Sequence, residues 1–289
     1  MRRLIINADD LELTEGVNRA VEECHRAGTV TSTTVMAGGA AFDDAVSRLR
    51  ANPTLRAGCH VVLIDGVPMS PHEKIATLMN GGQLNFRTSL VNIAYDAFFG
   101  FIDEDEVALE ATAQINKLKS AGVTLSHVDT HKHTHVFPSV ARGVLRAASE
   151  CGVNAVRNPF VPLGTALTPS VLLRPAFWIR TLQLSVLRSL YNGFRRTVRE
   201  LGMVTTDGTL GTAATGVLNA DILAEIITEM PEGTWELVCH PGYNDAALSG
   251  IRTRLRQSRE TERQVLTSPE TRQLLEKHGV ELIDFTNLQ

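Results

Sequence analysis

Short apolar runs alternate with segments of helical periodicity along the whole chain, and this alternation limits the fold more than any other feature. The run Leu4-Ile5-Ile6 predicts a buried strand, and a helix is predicted from the N-cap Thr14 to Ala27, where Gly28 ends it. Further strands are predicted at 30–36, 57–63, 123–129, 235–239 and 280–285. Further helices are predicted at 40–51, 103–121, 138–152, 219–230 and 269–278.

This order of elements indicates an α/β fold whose strands form one parallel sheet, either open or closed into a barrel. A length of 289 residues is ordinary for one α/β barrel, so we predict a single domain over residues 1–289. Two segments depart from the repeat: a loop rich in Gly and Pro at 64–90, and a long insertion at 158–205 that we predict to be helical. In either form of the sheet, the active site lies at the carboxyl ends of the strands.

The overall charge and the cysteines exclude several classes of function. A formal net charge of -4 gives no general attraction to nucleic acid or anionic lipid, so any such contact has to be local. The four cysteines are far apart and form no Cys-x-x-Cys pair, which predicts reduced thiols and a cytoplasmic protein. Acidic residues interrupt the N-terminus before a signal-length apolar run develops, and no stretch is apolar enough to span a membrane.

Four polar clusters each follow the carboxyl end of a predicted strand. They are Asn7-Ala8-Asp9-Asp10, Cys59-His60, Asp129-Thr130-His131 and Cys239-His240-Pro241. Because the carboxyl ends of parallel strands meet at one edge of the sheet, we predict that these clusters form one shared site.

Four of the nine histidines fall within residues 127–135, namely His127, His131, His133 and His135. In an extended chain, residues at i and i+2 point the same way, about 6.6 Å apart. These histidines and Asp129 can therefore share a face, although a turn after the strand would redirect the last two. Several imidazoles beside a carboxylate suit a borderline divalent metal. The alternative is a polar loop with incidental histidines.

The acids Asp9 and Asp10 come directly after the first strand. They point to opposite sides if the strand continues, whereas a turn brings both to the rim of the sheet; the alternative is a helix-capping Asp beside a solvated neighbour. One carboxylate can then bind a metal while the other accepts a proton from water. In Cys59-His60 and Cys239-His240, one side chain can enter the core while the other reaches the site.

The sequence resembles the YdjC-like carbohydrate deacetylases, a family that includes the chitooligosaccharide deacetylases. The resemblance extends from residue 4 to about 285, and its motifs are specific as a set although each is weak alone. They are Asn7-Ala8-Asp9-Asp10, Gly16-Val17-Asn18, Val30-Thr31-Ser32-Thr33-Thr34, Gly58-Cys59-His60, His127-Val128-Asp129-Thr130-His131 and Cys239-His240-Pro241-Gly242-Tyr243.

The resemblance implies a distorted TIM-like barrel and a hydrolase that removes the acetyl group from an N-acetylated amino sugar. It also implies one divalent metal ion, Zn or Mg first and Mn, Co or Ni as alternatives, bound by Asp10, His60 and His131. Asp9 is then the general base and His240 the general acid.

The sequence departs from the family at two places near these residues. Leu11-Glu12 stands where the family usually has Phe-Gly, and Thr130 and Lys132 flank the third implied ligand where the family often has Ser and then Gln or His. None of these changes removes an implied ligand, but Glu12 and Lys132 leave the substrate preference open.

The insertion carries a basic amphipathic segment over residues 171–201, with Phe177 and Trp178 among its apolar residues. Such a helix can lie on an anionic membrane surface. The alternatives are packing over the barrel or contact with a second subunit in a homodimer. Together with Val204-Thr205-Thr206-Asp207-Gly208, the insertion is similar to the hopanoid-biosynthesis-associated branch of the family. That similarity implies an N-acetylglucosaminyl hopanoid lipid as substrate, with a chitooligosaccharide as the alternative.

Two other functions compete with deacetylation. A metal-dependent phosphoesterase would usually need a second metal with bridging carboxylates, whereas the sequence offers one full ligand set. A sugar- or lipid-binding protein with a degenerate site is the second alternative, although all five implied site residues are present.

Overall fold

The fold is described from a computed structural model, which covers residues 1–81, 84–161 and 190–288. Within these residues nine strands form one sheet, and every pairing between them is parallel. The strands are β1 (Arg2–Leu11), β2 (Ser32–Val35), β3 (Arg56–Val61), β4 (Leu125–Thr130), β5 (Ala155–Val156), β6 (Val204–Thr205), β7 (Gly208–Leu210), β8 (Gly233–Cys239) and β9 (Val280–Leu282).

The order of strands across the sheet is β6-β5-β4-β3-β2-β1-β8-β7, and β9 also pairs with β1. The ten-residue β1 is the centre of this sheet, because it pairs with β2, β8 and β9. Among the described residues no pairing joins the outer strands β6 and β7, so the barrel is open on that side. The predicted α/β fold with a distorted barrel is confirmed.

Helices follow the strands along the chain and cover the outer face of the sheet. They are α1 (Glu15–Arg26), α2 (Phe42–Ala51), α3 (Leu90–Phe98), α4 (Glu104–Ser120), α5 (Pro138–Glu150), α6 (Tyr191–Glu200), α7 (Ala220–Glu229), α8 (Ala246–Ser249), α9 (Gln257–Thr267) and α10 (Pro269–Lys277). The predicted N-caps are present. Thr14 Oγ1 accepts a hydrogen bond from the Val17 N–H at 3.1 Å, and Asp103 accepts hydrogen bonds from two N–H groups in the first turn of α4.

Alternation along β1 separates two apolar clusters. Leu4 and Ile6 face outward and join the main core between the sheet and the helices. Ile5 faces the barrel interior, where it packs in a small cluster with Ala155, Ile283 and Phe285. The interior above this cluster is polar, because the next inward residues of β1 are Asn7 and Asp9. The apolar cluster therefore closes one end of the barrel and leaves the other for a polar site.

Several element boundaries differ from those predicted. Strand β9 ends at Leu282 rather than at residue 285, because Asp284 caps a 3-10 turn at Phe285–Asn287. Helix α9 was not predicted, since most of its residues are polar or charged and only Val265 and Leu266 give it apolar periodicity. Helix α3 was also not predicted; it follows the Gly- and Pro-rich loop, and most of its large apolar residues face outward.

The insertion at 158–205 is described only in part. Residues 162–189, with Phe177 and Trp178, lie outside the described residues. In the described part, α6 buries Phe194 and Val198 in the main core and leaves Arg196 and Arg199 exposed. This end of the 171–201 segment thus packs on the barrel. Within the described ranges, no helix combines the length and the apolar character needed to cross a membrane.

Candidate metal centre and active site

Asp9 and Asp10 both face one cavity, although they are neighbours on β1. Asp10 has a φ of 66°, in the left-handed region, and the pairing of β1 with β2 shifts register between Ala8 and Leu11. A strand of regular geometry would place the two side chains on opposite faces. The local turn therefore brings both carboxylates to the rim, which was one of the two arrangements considered from the sequence.

His60 and His131 come from the ends of the adjacent strands β3 and β4, and their rings converge. His60 Nδ1 lies 2.7 Å from Asp129 Oδ1, so this carboxylate holds the ring through that nitrogen. His60 Nε2 faces His131 Nδ1 at 3.2 Å. In the neutral form of His60 whose Nδ1 donates to Asp129, Nε2 carries a lone pair that points at His131, as a metal-binding imidazole requires.

Asp10 completes this group. Its Oδ1 lies 3.7 Å from His60 Nε2 and 3.6 Å from His131 Nδ1. Its Oδ2 is bound by Arg259, which fixes the carboxylate and leaves Oδ1 directed at the two imidazoles. The three ligand atoms lie within 4.8 Å of one another. One carboxylate and two imidazoles are a donor set that suits a divalent transition metal, and they leave coordination positions for water and substrate.

The charge around this group also favours a cation. Burial alone would lower the pKa of His60, but Asp129, with smaller contributions from Asp9 and Asp10, raises it to about 9. Without a metal, this imidazole therefore holds a proton among three carboxylates. A divalent cation replaces that proton when it binds, because the metal-bound imidazole is neutral.

A second group of ligand atoms, from Asp9, His60 and Asp129, also lies within 4.8 Å. Its two carboxylates already have a cation between them, since Arg157 forms ion pairs with both Asp9 and Asp129. Asp129 is also fully buried and does not line the cavity. The group of Asp10, His60 and His131 is therefore the better metal site.

Arg157 is the centre of the polar barrel interior, and sequence reasoning missed it. The side chain is fully buried, and it binds Asp9 through both terminal nitrogens, at 2.9 and 2.6 Å. It also forms ion pairs with Asp129 and Glu236. The only signal in the sequence is its position just after β5, a strand too short to predict. Arg259 was missed for a similar reason, because it lies on the unpredicted helix α9.

Asp9 is held in one orientation by four hydrogen bonds. Besides Arg157, Asn7 Nδ2 and Thr34 Oγ1 donate to its Oδ1, at 2.8 and 3.0 Å. Burial would raise the pKa of Asp9, but the Arg157 guanidinium, together with His60 and His240, outweighs burial and holds that pKa well below its usual range. Asp9 is therefore an anion at any physiological pH.

His240 lies beside the carboxylate pair, directly after β8. Its Nε2 is 4.0 Å from Asp9 Oδ2, and its backbone N–H donates to Glu262 Oε2 at 2.5 Å. Burial lowers the pKa of His240 to about 4, although Asp10 and Asp9 act in the other direction. The imidazole is therefore neutral at pH 7 before a ligand binds.

The other histidines of the 127–135 segment divide between the cavity and the core. Lys132 and His133 have φ values of 56° and 54°, and this turn directs both side chains into the cavity wall. His135 is fully buried; its ring bonds Thr130 Oγ1 at 2.7 Å. His127 is also fully buried, and it stacks on Phe285 with ring centroids 3.6 Å apart. The five alternate positions therefore do not line one cavity, as the turn at Lys132 and His133 interrupts the extended chain.

The cavity has a volume of about 860 Å³, within the range of small-molecule sites. The carboxylate and imidazole groups lie together in its wall, and much of the remaining wall is apolar, including Leu13, Met36, Val62, Ile64, Phe137 and Phe160. Lys132, which forms an ion pair with Asp65, stands in the same wall, whereas Glu12 is buried away from it. Of the two departures from the family motifs, only Lys132 can contact a ligand.

Known proteins with similar sequences match the chain from end to end. A family model described as YdjC-like protein matches residues 3–277. A carbohydrate deacetylase of Brevibacillus brevis is 30% identical over 288 residues, covering 99% of this chain and 99% of that protein. A carbohydrate deacetylase of Vibrio parahaemolyticus is 30% identical over 291 residues, covering 99% and 96%. The similarity therefore includes every strand that carries a site residue.

Two solved structures have a similar fold. A protein of Enterococcus faecalis V583, provisionally named a cellobiose-phosphate cleavage protein, superposes with a TM-score of 0.77 at 24% identity, covering 99% of this chain and 98% of that one. The lactam utilization protein of Thermus thermophilus gives a TM-score of 0.51 at 15% identity, covering 97% and 98%. At these identities the matches show the fold alone.

Proposed function

The chain belongs to the YdjC-like protein family, and from this premise we propose that it is a hydrolase that removes the acetyl group from an N-acetylated amino sugar. The observation that carries the proposal is the convergence of Asp10, His60 and His131 in the wall of the cavity, with Asp9 and His240 beside them. Hydrolysis of an amide needs an activated water and a proton for the departing amine, and this arrangement has residues for both tasks.

We assign Asp10, His60 and His131 to one divalent metal ion, with Zn, Mg, Mn, Co and Ni as candidates. The bound cation would increase the acidity of water and polarise the acetyl carbonyl. Arg259 and Asp129 are positioning residues in this assignment. Arg259 holds Asp10 through Oδ2, and Asp129 orients the ring of His60 through Nδ1.

Asp9 is the general base of the proposed reaction. Its orientation is fixed by Arg157, Asn7 and Thr34, so the carboxylate does not need to reorganise when it accepts a proton from the attacking water. The strong ion pair with Arg157 weakens this base, but the same ion pair keeps it deprotonated at every working pH.

His240 is the general acid that protonates the leaving amine. Because the imidazole is neutral at pH 7, the proton it donates has to arrive during turnover. Asp9 Oδ2, 4.0 Å from His240 Nε2, can supply that proton once Asp9 has accepted it from water. The water oxygen then bonds to the acetyl carbon, the C–N bond breaks, and acetate and a free amine leave.

The substrate we propose is an N-acetylglucosamine unit joined to a lipid, as in an N-acetylglucosaminyl hopanoid. The apolar cavity wall supports an apolar group next to the sugar, because burial of apolar surface favours binding. A chitooligosaccharide such as diacetylchitobiose is the alternative substrate, and it would use this wall less. The cytoplasmic location and the homodimer stay predictions.

The decisive experiment follows free amine and acetate while the purified protein is incubated with diacetylchitobiose and with an N-acetylglucosaminyl hopanoid. We expect release of one acetate per N-acetyl group from the lipid-linked substrate, with about one metal ion per chain. Acetate release from neither substrate, or cleavage of p-nitrophenyl phosphate with two metals per chain, would contradict the proposal and favour a binding protein or a phosphoesterase, respectively.

The assignment of the base is tested by Asp9→Asn. Loss of a general base lowers kcat by about 10² to 10⁴-fold, and the metal content should stay at the wild-type level, since Asp9 is not an assigned ligand. Asp221→Asn, on the exposed side of α7, is the matched control and should keep full activity.

A further inference from the structure

Four aromatic side chains form one exposed patch at the end of α3. Tyr95, Phe98, Phe99 and Phe101 are 57, 63, 58 and 59% exposed, respectively. Their ring centroids lie 4.6 Å apart between Tyr95 and Phe99 and 5.4 Å apart between Phe98 and Phe99. We call these four residues the aromatic patch. A contiguous exposed patch of this kind usually marks an interaction surface, because water contact with so much apolar area is unfavourable.

The aromatic patch lies on the same face of the barrel as the candidate site. Strands β3 and β4 are parallel neighbours, so residues 62–103 connect the carboxyl end of β3 to the start of α4, which returns the chain to the other end. Leu90, the first residue of α3, lines the cavity itself. Ile93 and Ala97 bury the opposite side of α3, which directs the patch outward. The patch therefore lies on the face of the barrel that carries the cavity, at the end of the helix whose first residue lines it.

Two arginines without an acidic partner lie on the face of the barrel that carries the cavity. Arg252 and Arg254 belong to the loop between β8 and α9, both are exposed, and both line the cavity. In the parts of the chain that the structure describes, neither has a hydrogen-bond or ion-pair partner. Arg256, the next alternate residue, differs because it bonds the carbonyls at the end of α8.

The acidic residues near the aromatic patch are already engaged. Asp96 pairs with Arg87, and Asp103 caps α4. Glu104 and Asp105 pair with Arg142 and Arg146 of α5, as two adjacent ion pairs. The ion pairs offset the charges of Asp96, Glu104 and Asp105, which would otherwise repel an anionic surface, whereas Asp103 stays anionic as a helix cap. Among the described residues of the cavity wall, Arg252 and Arg254 are exposed and have no acidic partner.

We propose that the face formed by the aromatic patch, Arg252 and Arg254 docks on a bilayer that contains anionic phospholipid. Exposed aromatic side chains favour the interface between headgroups and acyl chains, and unpaired guanidinium groups bind lipid phosphates. The cavity then opens toward the membrane. The docking is local, since the chain as a whole carries a net charge of -4. It is a binding property that does not depend on the deacetylation reaction.

The test is sedimentation of the wild-type protein with vesicles of phosphatidylcholine alone and with 30% phosphatidylglycerol, both without substrate. We expect binding to the anionic vesicles that weakens as NaCl rises from about 50 to 500 mM, because salt screens exposed charges. Phe98→Ser/Phe99→Ser should weaken binding roughly a hundredfold. Arg252→Glu/Arg254→Glu should weaken it by at least about thirtyfold on anionic vesicles.

Matched controls stand on other surfaces. Leu109→Ser removes an apolar side chain, 40% exposed, from α4. Arg272→Glu/Lys277→Glu reverses two exposed charges on α10, which runs toward the opposite end of the barrel before β9. Both controls should sediment like the wild type. If the serine variant fails to fold, the Arg252→Glu/Arg254→Glu variant still tests the proposal, since it changes only exposed side chains.

Three outcomes would overturn the inference. The first is no binding of the wild type to either vesicle, and the second is equal binding of the wild type and both test variants. The third is a dimer in solution that Phe98→Ser/Phe99→Ser dissociates, while the vesicles bind no protein. The third would assign the patch to a second copy of the chain. Acetate release from a soluble substrate is measured in parallel, so that loss of docking is distinguished from loss of the reaction.

Discussion

The guanidinium of Arg157 binds both carboxylate oxygens of Asp9, across 148 positions of sequence. The same side chain pairs with Asp129, which in turn orients His60. One buried cation thus connects the proposed base to one of the proposed metal ligands. Changes at Arg157 should therefore affect both stability and catalysis.

Replacement of Arg157 by Met should lower the free energy of unfolding by about 3 to 5 kcal/mol, because Asp9, Asp129 and Glu236 would stay buried without their shared cation. Arg157→Lys keeps the charge but loses the paired contact with Asp9. We expect this variant to fold and to lose roughly a hundredfold in kcat with little change in KM. Urea unfolding and steady-state kinetics measure both effects. Arg272→Lys, on the exposed side of α10, is the control. A wild-type kcat in Arg157→Lys would contradict the positioning role of Arg157.

Removal of the metal should abolish deacetylation reversibly. We expect a chelator to inactivate the protein, and a divalent ion to restore activity, because Asp10, His60 and His131 are the proposed ligands. Asp10→Asn and His131→Ala should each lose bound metal, measured by elemental analysis after gel filtration. His278→Ala, just after α10, should retain it. Full metal content in His131→Ala would refute the assigned ligand set.

The stability of the protein should depend on pH through His127. Burial lowers the pKa of His127 to about 3, although Asp129 acts in the opposite direction. As pH falls, His127 takes up a proton in the unfolded chain near pH 6.5 but in the folded protein only near pH 3. Because the unfolded state binds more protons in this window, the free energy of unfolding falls as pH falls from about 6.5 toward 3. The slope for this one residue approaches about 1.4 kcal/mol per pH unit.

His127→Phe should remove that contribution and keep a ring against Phe285. We expect the difference in unfolding free energy between the variant and the wild type to be constant from pH 7 to 8. Below pH 6 the wild type should lose stability relative to the variant, as measured by urea unfolding at each pH. Parallel curves from pH 8 to 4 would show that His127 becomes charged in the folded protein.

Gly58 should tolerate no side chain, because a Cβ there would overlap the buried ring of His127, with Nε2 only 2.5 Å away. His127 cannot move aside, since it is stacked on Phe285. We expect Gly58→Ala to lower the free energy of unfolding by about 1 to 3 kcal/mol. Gly193→Ala, in α6 with open space around its Cβ position, should instead raise it by roughly 0.5 to 1 kcal/mol. Thermal and urea unfolding compare the two, and equal effects would show that packing at Gly58 is unimportant.

The sequence was informative wherever local patterns determine structure. The cap residues Thr14 and Asp103 were found where predicted, because a cap depends on residues within one turn. The positions of Asp10, His60 and His131 at strand ends could also be predicted, since parallel strands end at one edge of the sheet. Elements with weak periodicity were missed, as the charged helix α9 and the two-residue β5 illustrate.

What the sequence determined by itself was the alternation of strands and helices, and with it the edge of the sheet at which the acids and histidines had to meet. Tertiary structure decided the rest: the left-handed turn at Asp10, the pairing of Arg157 with Asp9, and the outward direction of the aromatic patch. The physical reason is the sequence separation over which each interaction acts. Periodicity and capping act within a few residues, whereas ion pairs and exposure depend on which distant segments the folded chain brings together.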